Sequence, residues 1–247
     1  MNEQSEQSIT VIGAGVIGLC CARTLQRRGY GVTVIDPLDP GMGTSYGNAG
    51  ILATGSVLPE GKPGLWKRVP GMLLDPLGPL TIRPSYLAKL TPWMLRFIAN
   101  TTAKRSEEIS QALASIVLPG LEHYRALLDD VASDEVPIRQ QGCLYLYPSA
   151  ANLAAARDDI ETRRQRGVAL EMLSPDEVRQ LVPAIGPDMA GGALATQSGH
   201  ATSPLALSQL LAARIVADGG NFIKAKASGF AIGSDGPTHV HTDQGDI

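Results

Sequence analysis

The feature that most constrains this chain is Gly13-Ala14-Gly15-Val16-Ile17-Gly18, set between a strand-like run and a helix-like run. Ser8-Ile9-Thr10-Val11-Ile12 is short, apolar and rich in β-branched residues, which predicts a buried parallel strand. Val16 to Arg28 predicts a helix, with Ile17, Cys20, Cys21, Thr24 and Leu25 as its apolar stripe and Gly29 just past its end. Val32-Thr33-Val34-Ile35 predicts a second strand, ending at Asp36, eighteen residues after Gly18. Each part has a physical job. Gly13 allows a tight turn, Gly15 lets backbone N–H groups approach a diphosphate, and Gly18 lets helix and strand close up. The helix N-terminus favours the phosphate charge, and an acid at position 36 accepts hydrogen bonds from ribose hydroxyls. A glycine triplet alone is weak evidence. Strand, helix and acid at these spacings predict a bound adenine dinucleotide.

Composition excludes several classes. The 247 residues suggest roughly 1.6 domains, enough chain to bury a real core. With 44% apolar and 18% charged residues, the chain is neither disordered nor collagen-like. Its 21 basic and 24 acidic side chains leave a net charge of −3, unlike a general nucleic-acid binder. Met1 to Ile12 shows no secretory signal, and no apolar run approaches the roughly 20 residues of a membrane span. Three cysteines, two of them adjacent, make no disulfide framework. A cytoplasmic setting, or the cytoplasmic face of a membrane, is expected.

NAD and FAD remain open at Asp36. An NAD domain would continue through another crossover helix, whereas here the chain enters the Gly- and Pro-rich stretch Pro37 to Ile51. That stretch offers backbone amides, the Thr44 and Ser45 hydroxyls and the Asn48 amide to diphosphate oxygens and a flavin edge. Composition alone equally describes a long surface loop.

VIGAGVIGLCCARTLQRRGYGVTVID followed by GTSYGNAGIL resembles the N-terminus of the FAD-dependent D-amino-acid dehydrogenase/oxidase family, nearest the bacterial dehydrogenases. The resemblance continues through PGLWKRVPGMLLDPLGPLTIRPSYLAKLTPWMLRFIA, QGCLYLYPS and SGHATSPLALSQLLA, so it covers nearly the whole chain. It implies an α/β fold, an FAD-binding Rossmann-type domain with a second α+β substrate domain inserted. Expected boundaries are 1–55 and 201–247 for the FAD domain and 56–200 for the substrate or cap domain. The resemblance places the FAD diphosphate on Gly13, Ala14, Gly15, Val16, Ile17 and Gly18, and the ribose on Asp36. Thr44, Ser45, Asn48, Ala49, Gly50 and Ile51 would lie along the diphosphate and flavin. Ala227 stands where relatives carry a valine whose backbone meets adenine.

The implied reaction oxidises a D-amino acid to its imino acid, with hydride leaving Cα for the flavin; hydrolysis then yields a 2-oxo acid and ammonia. The flavin carries such chemistry, so no catalytic side chain is named. A sarcosine, glycine or hydroxyproline oxidase or dehydrogenase is the enzymatic alternative. A non-catalytic nucleotide-binding fragment, or a subunit completed by a second chain, is the other. Relatives run well past Ile247, so the chain reads as C-terminally truncated in mid-hairpin and is expected not to turn over D-amino acids alone.

Residues 61–105 hold eight basic side chains (Lys62, Lys67, Arg68, Arg83, Lys89, Arg96, Lys104 and Arg105) against Asp75 alone, a local charge of +7. Trp66 and Trp93 fall in the same window. Leu87, Leu90, Met94, Phe97 and Ile98 keep helical spacing, with Lys89 and Arg96 on the opposite face and Thr91-Pro92 read as capping a fresh helix. This describes either a helical pair packed on the substrate domain or a cationic amphipathic surface resting on anionic lipid. The family's transfer of electrons to membrane quinones implies the second.

Leu121, Tyr124, Leu128 and Val131 mark another helix, Leu144 to Tyr147 a strand of a separate sheet, and Leu153 to Arg166 a helix closed by Gly167. Ser174-Pro175-Asp176-Glu177 is a helix start. A helix from Ser203-Pro204 should return the chain to the nucleotide domain, followed by a β-meander from Asn221 with a turn at Asp235-Gly236. His239 and His241 alternate on a strand without a third ligand, so no metal is expected. His123 reads as a surface residue, Cys143 as core packing, and His200 as a candidate for the flavin site.

Overall fold

The computed structural model describes residues 8–75, 80–132, 134–234 and 236–247. From the N-terminus, β1 (Ser8–Ile12), α1 (Val16–Arg27), β2 (Gly31–Asp36) and β3 (Ile51–Leu52) lead into α2 (Leu65–Leu74), α3 (Leu87–Ala99) and α4 (Ala103–Val117). Next come α5 (Gly120–Leu127), β4 (Ile138–Arg139), β5 (Cys143–Tyr147), α6 (Ala150–Ala155), α7 (Arg157–Gln165), β6 (Leu170–Leu173) and α8 (Pro175–Leu181). Then follow β7 (Gly191–Ala195), β8 (Gly199–Ala201), α9 (Pro204–Ala217), β9 (Asn221–Lys224), β10 (Ala227–Gly233), β11 (Gly236–Thr242) and β12 (Gly245–Asp246).

Two compact units result, one of Met1–Leu52, Leu121–Gln140 and Gly199–Ile247, the other of Ala53–Gly120 and Gln141–Ser198. The stretch 121–140 therefore departs from the sequence boundaries: it packs in the first unit, through buried Leu128 and half-buried Tyr124 and Val131, rather than with the cap.

In the first unit β1, β2 and β9 form a parallel sheet in the order β1–β2–β9. Asn221–Lys224 is thus a third parallel strand, in register from Thr33↔Asn221 to Asp36↔Lys224, and not the opening of the meander. The meander is β10–β11–β12; of its expected turn, Asp235 lies outside the described residues and Gly236 opens β11. Helix α1 ends as predicted: Tyr30 N–H donates to Leu25 O and Gly29 N–H to Gln26 O, a Schellman close.

The buried face of α1 is rotated from the predicted stripe. Ile17 is 75% exposed and Cys21 is exposed, while Leu19, Ala22 and Arg23 are buried. Leu19 and Ala22 pack with Val32 and Val34 of the sheet and Leu207, Leu211 and Ile215 of α9. Each large side chain so enclosed contributes about 1.5–3 kcal/mol. Arg23 can turn inward because carboxylates meet it there: Nη2 lies 2.9 Å from Asp130 Oδ2, and Nη1 bonds Asp218.

A small antiparallel sheet, β3–β8–β4, completes the first unit, with Ile51 and Arg139 both opposite His200. The second unit carries the antiparallel sheet β5–β7–β6, with Val57, Ala114, Val168 and Ala195 buried together. Cys143 packs against this cluster. Helix α8 starts on the expected capping box of Ser174 and Glu177. The predicted helix over 153–166 is two, parted at Ala156; Asp158 and Asp159 then occupy the first turn of α7, where the helix dipole favours them. Pro92 is also not a helix start: α3 runs through it, and the Thr91 hydroxyl donates to Leu87 O at 2.8 Å.

Candidate dinucleotide-binding site

The glycine turn joins β1 to α1. Gly13 has φ +109°, and its N–H donates to Ile35 O at 2.8 Å, tying the turn to the end of β2. A Cβ on Gly18 would sit 1.9 Å from Gly13 O, so helix and turn approach more closely than any side chain permits. Gly15 is different. A Cβ there would meet nothing nearer than Ser45 Oγ at 3.4 Å, and its absence leaves backbone open in front of the helix. Gly15, at the N-cap, offers no side-chain cap, and the first turn of α1 carries no acid. The positive end of the dipole is left for an anion.

Asp36 and the loop after it close around this turn. Asp36 Oδ2 accepts from Ala14 N–H and Oδ1 from Leu38 N–H, each at 2.8 Å, which holds the carboxylate across the turn. Gly41 N–H donates to Ala14 O at 2.8 Å, and Val16 N–H donates to Ser45 Oγ at 2.9 Å. Asn48 uses both ends of its amide within the loop: Nδ2 donates to Ser45 O and Oδ1 accepts from Gly50 N–H, each at 2.7 Å. Gly50, at φ +66°, lies so near β8 that a Cβ would come 2.4 Å from Ala201 O. Thr44, Ala49 and Ile51 are exposed beside this frame.

Val16, Ser45, Asn48 and Gly50 open onto a cavity of about 140 Å³ whose other walls include Tyr124, Ala201 and Leu207. Those three walls were not predicted, because only the return of the distant segments 121–140 and 199–217 brings them here. Beside the cavity, burial pushes the Cys20 thiol up to about 11 and the Tyr124 hydroxyl up to about 12. Neither ionises near neutral pH.

The remaining candidates are more scattered. Ala227 opens β10 three residues beyond Lys224, which pairs with Asp36, so it lies past the same end of the parallel sheet. His200 sits on β8 opposite Ile51. His123 is exposed on α5, while His241 Nδ1 lies 2.8 Å from Asp246 Oδ1. Among the described residues, no three His, Cys, Asp or Glu side chains gather where a metal ion could sit.

A Cβ-free turn, an open helix N-terminus and a carboxylate held across them suit the diphosphate and ribose of a dinucleotide. Residues 8–247 match the family described as FAD dependent oxidoreductase. The chain belongs to that family. It is 36% identical over 244 residues to a D-amino-acid oxidase of Bradyrhizobium diazoefficiens, covering 97% of this chain and 57% of that protein. It is 34% identical over 178 residues to D-amino acid dehydrogenase 2 of Ralstonia nicotianae, covering 72% of this chain and 42% of that one. Among solved structures it is similar to a glycine oxidase from Bacillus cereus, with TM-score 0.62, 16% identity and coverage of 96% and 53%. An L-proline dehydrogenase from P. horikoshii gives 0.63, 18%, 98% and 50%. At such identities these structures speak for the fold alone. The chain spans between 42% and 57% of the length of these relatives. FAD is the cofactor of the family, and the glycine turn, Asp36 and the loop to Ile51 fit it.

Proposed function

We propose that the chain holds FAD in an enzyme that oxidises D-amino acids to imino acids, which water converts to 2-oxo acids and ammonia. The observation that carries this reading is the Asp36 carboxylate fixed across a Cβ-free turn at the N-terminus of α1, in a chain 36% identical to a D-amino-acid oxidase. The turn from Gly13 to Gly18, with Ala14, Gly15, Val16 and Ile17, takes the diphosphate at the positive end of α1. Asp36 takes the ribose hydroxyls. Thr44, Ser45, Asn48, Ala49, Gly50 and Ile51 line the diphosphate and flavin, and the Ala227 backbone meets adenine. Bound FAD supplies the acceptor for the hydride leaving Cα. The parts of 1–55 and 201–247 in the first unit bind the cofactor. Residues 56–200, less 121–140, take the substrate side.

The same proposal places the protein on the cytoplasmic side, peripheral to the inner face of the plasma membrane, with a membrane quinone as electron acceptor. Lys67 of α2 and Lys89 and Arg96 of α3, all exposed, support it. Ile12, 54% exposed on edge strand β1, supports pairing with a second chain. A glycine, sarcosine or hydroxyproline substrate is the second reading, favoured by the fold likeness to a glycine oxidase. Anaerobic bleaching of the flavin in the FAD-loaded holoenzyme separates them. D-Alanine should bleach it faster than L-alanine, glycine, sarcosine or hydroxyproline; a faster rate with any of these overturns the D-amino-acid reading.

A further inference from the structure

We infer that the cavity between α2 and α3 binds an amino acid with a large apolar side chain. This deepens the D-amino-acid reading above by naming the side chain, and it rests on that reading for the reaction. Val69 and Met72 of α2 and Leu90, Met94 and Phe97 of α3 line a cavity of about 780 Å³. Small-molecule sites typically hold about 300–1,000 Å³, with mostly apolar walls and a few polar groups that fix the ligand. Trp66 and Trp93 line the same space, and Trp93 stacks on Phe97 with ring centroids 5.1 Å apart and planes at 12°. Such walls gain from a ring laid offset or edge-on against them. A methyl side chain would leave most of this apolar surface wet, whereas a benzyl, indole or isobutyl group covers it. Every residue of the site belongs to the second unit, on the side proposed above for the substrate.

Charge sets the polar end of the ligand. Among the described residues, the charged groups lining the cavity are one acid and one base, Glu60 ahead of α2 and Arg83 ahead of α3. Both are exposed, and among the described residues neither side chain has an ion-pair or hydrogen-bond partner. A carboxylate alone would pair with Arg83 and be repelled by Glu60. An amine alone would meet the reverse. A molecule carrying both signs beside an apolar group pairs the two and leaves no charge facing the ligand unmatched. A free amino acid is the simplest such molecule: its ammonium goes to Glu60, its carboxylate to Arg83 and its side chain into the apolar space.

Trp66 and Trp93 are the only tryptophans of the 247-residue chain and both line the cavity, so intrinsic fluorescence reports on this site. The FAD-loaded protein is reduced with dithionite and desalted without oxygen, so that a D-amino acid can bind without being oxidised. D-Phenylalanine should then change the emission saturably. It should bind at least tenfold tighter than 3-phenylpropionate, which lacks the ammonium, or 2-phenylethylamine, which lacks the carboxylate. D-Alanine at the same concentration should leave the emission unchanged. Glu60→Gln and Arg83→Gln should each weaken D-phenylalanine at least fivefold, with the thermal melt and flavin spectrum unchanged. Glu60→Gln should tighten 3-phenylpropionate and Arg83→Gln should tighten 2-phenylethylamine, a crossed pattern that a loss of structure does not produce. A one-charge analogue that binds as well as D-phenylalanine, or binding that ignores both variants, overturns the paired charges. An equal response to D-alanine overturns the large side chain. No response to D-phenylalanine overturns the site but not the reaction, which bleaching of the oxidised flavin by D-alanine decides separately. A response without bleaching by any D-amino acid supports the site and overturns the reaction.

Discussion

Gly15 and Gly18 stand three residues apart in one motif, yet the structure asks different things of them. A methyl at Gly18 would lie 1.9 Å from Gly13 O, backbone against backbone, and only a shift of helix against turn relieves that. Gly18→Ala should therefore cost about 3 kcal/mol of stability in chemical denaturation. At Gly15 the nearest atom to an added Cβ is Ser45 Oγ at 3.4 Å, an ordinary contact, and φ is −72°. Gly15→Val should change stability by no more than about 1 kcal/mol. It would, however, fill the space where a diphosphate approaches the amides. Flavin should be lost on gel filtration while the far-UV spectrum and melt persist. A Gly15→Val protein that keeps its yellow colour would show that the diphosphate lies elsewhere.

Between elements, the junction of α1, α9 and the segment after α5 rests on a charge cluster inside an apolar setting. Arg23, 2% exposed, meets Asp130 and Asp218, and Arg214 of α9 also meets Asp130. Burial alone would raise the Asp130 carboxyl, but the Arg214 hydrogen bond and the charges of Arg23 and Arg214 hold it below the usual carboxylate range. A depressed folded value stabilises the protein above the unfolded value of about 4, and the gain is lost as pH falls through the folded value. The urea midpoint should thus drop on acidification below about pH 4, and less so in Asp130→Asn. Asp130→Ala should cost roughly 3 kcal/mol at neutral pH, since it strips a partner from a buried guanidinium. Arg23→Met should be far milder; a loss equal to that of Asp130→Ala would mean the ion pairs, rather than the penalty of orphaning a charge, hold the junction. This cluster also explains what periodicity missed. Arg23 counts as surface in any apolar stripe, and Asp130 and Asp218, 107 and 195 positions away, make its burial tolerable. The strand–turn–helix–strand unit was legible because its determinants are local. Asn221–Lys224 was not: four residues read alike in a meander and in a parallel sheet until β2 pairs with them.

At the scale of the molecule, the residues assigned to the dinucleotide all fall in the first unit, from the glycine turn through Ile51 and on to Ala227. The chain leaves that unit and re-enters it twice. Its final return near residue 200 was marked in the sequence by Ser203-Pro204, a helix start whose hydroxyl does accept from Ala206 N–H. The earlier return at 121–140 was not, because Leu121, Tyr124 and Leu128 keep the spacing of any amphipathic helix and carry no sign of which core they enter. Yet Tyr124 walls the cavity beside Ser45 and Asn48, so the excursion contributes to the site. Ligand linkage makes this testable. FAD held at a hundred times its dissociation constant adds about 2.7 kcal/mol to the structure it binds. Hydrogen exchange should then slow most at the amides of Gly13–Leu19, at Leu38 and Gly41, and between Ser45 and Gly50, with a smaller effect at 121–128. Amides of β5, β6 and β7, in the other unit, should gain least. Protection that rises equally in that sheet, or leaves the Gly13–Leu19 amides unchanged, would move the cofactor off the glycine turn. Stripping the FAD by dialysis against concentrated potassium bromide, then returning the protein to buffer, should bring each of these amides back to its starting rate, which ties the gain to FAD rather than to slow refolding.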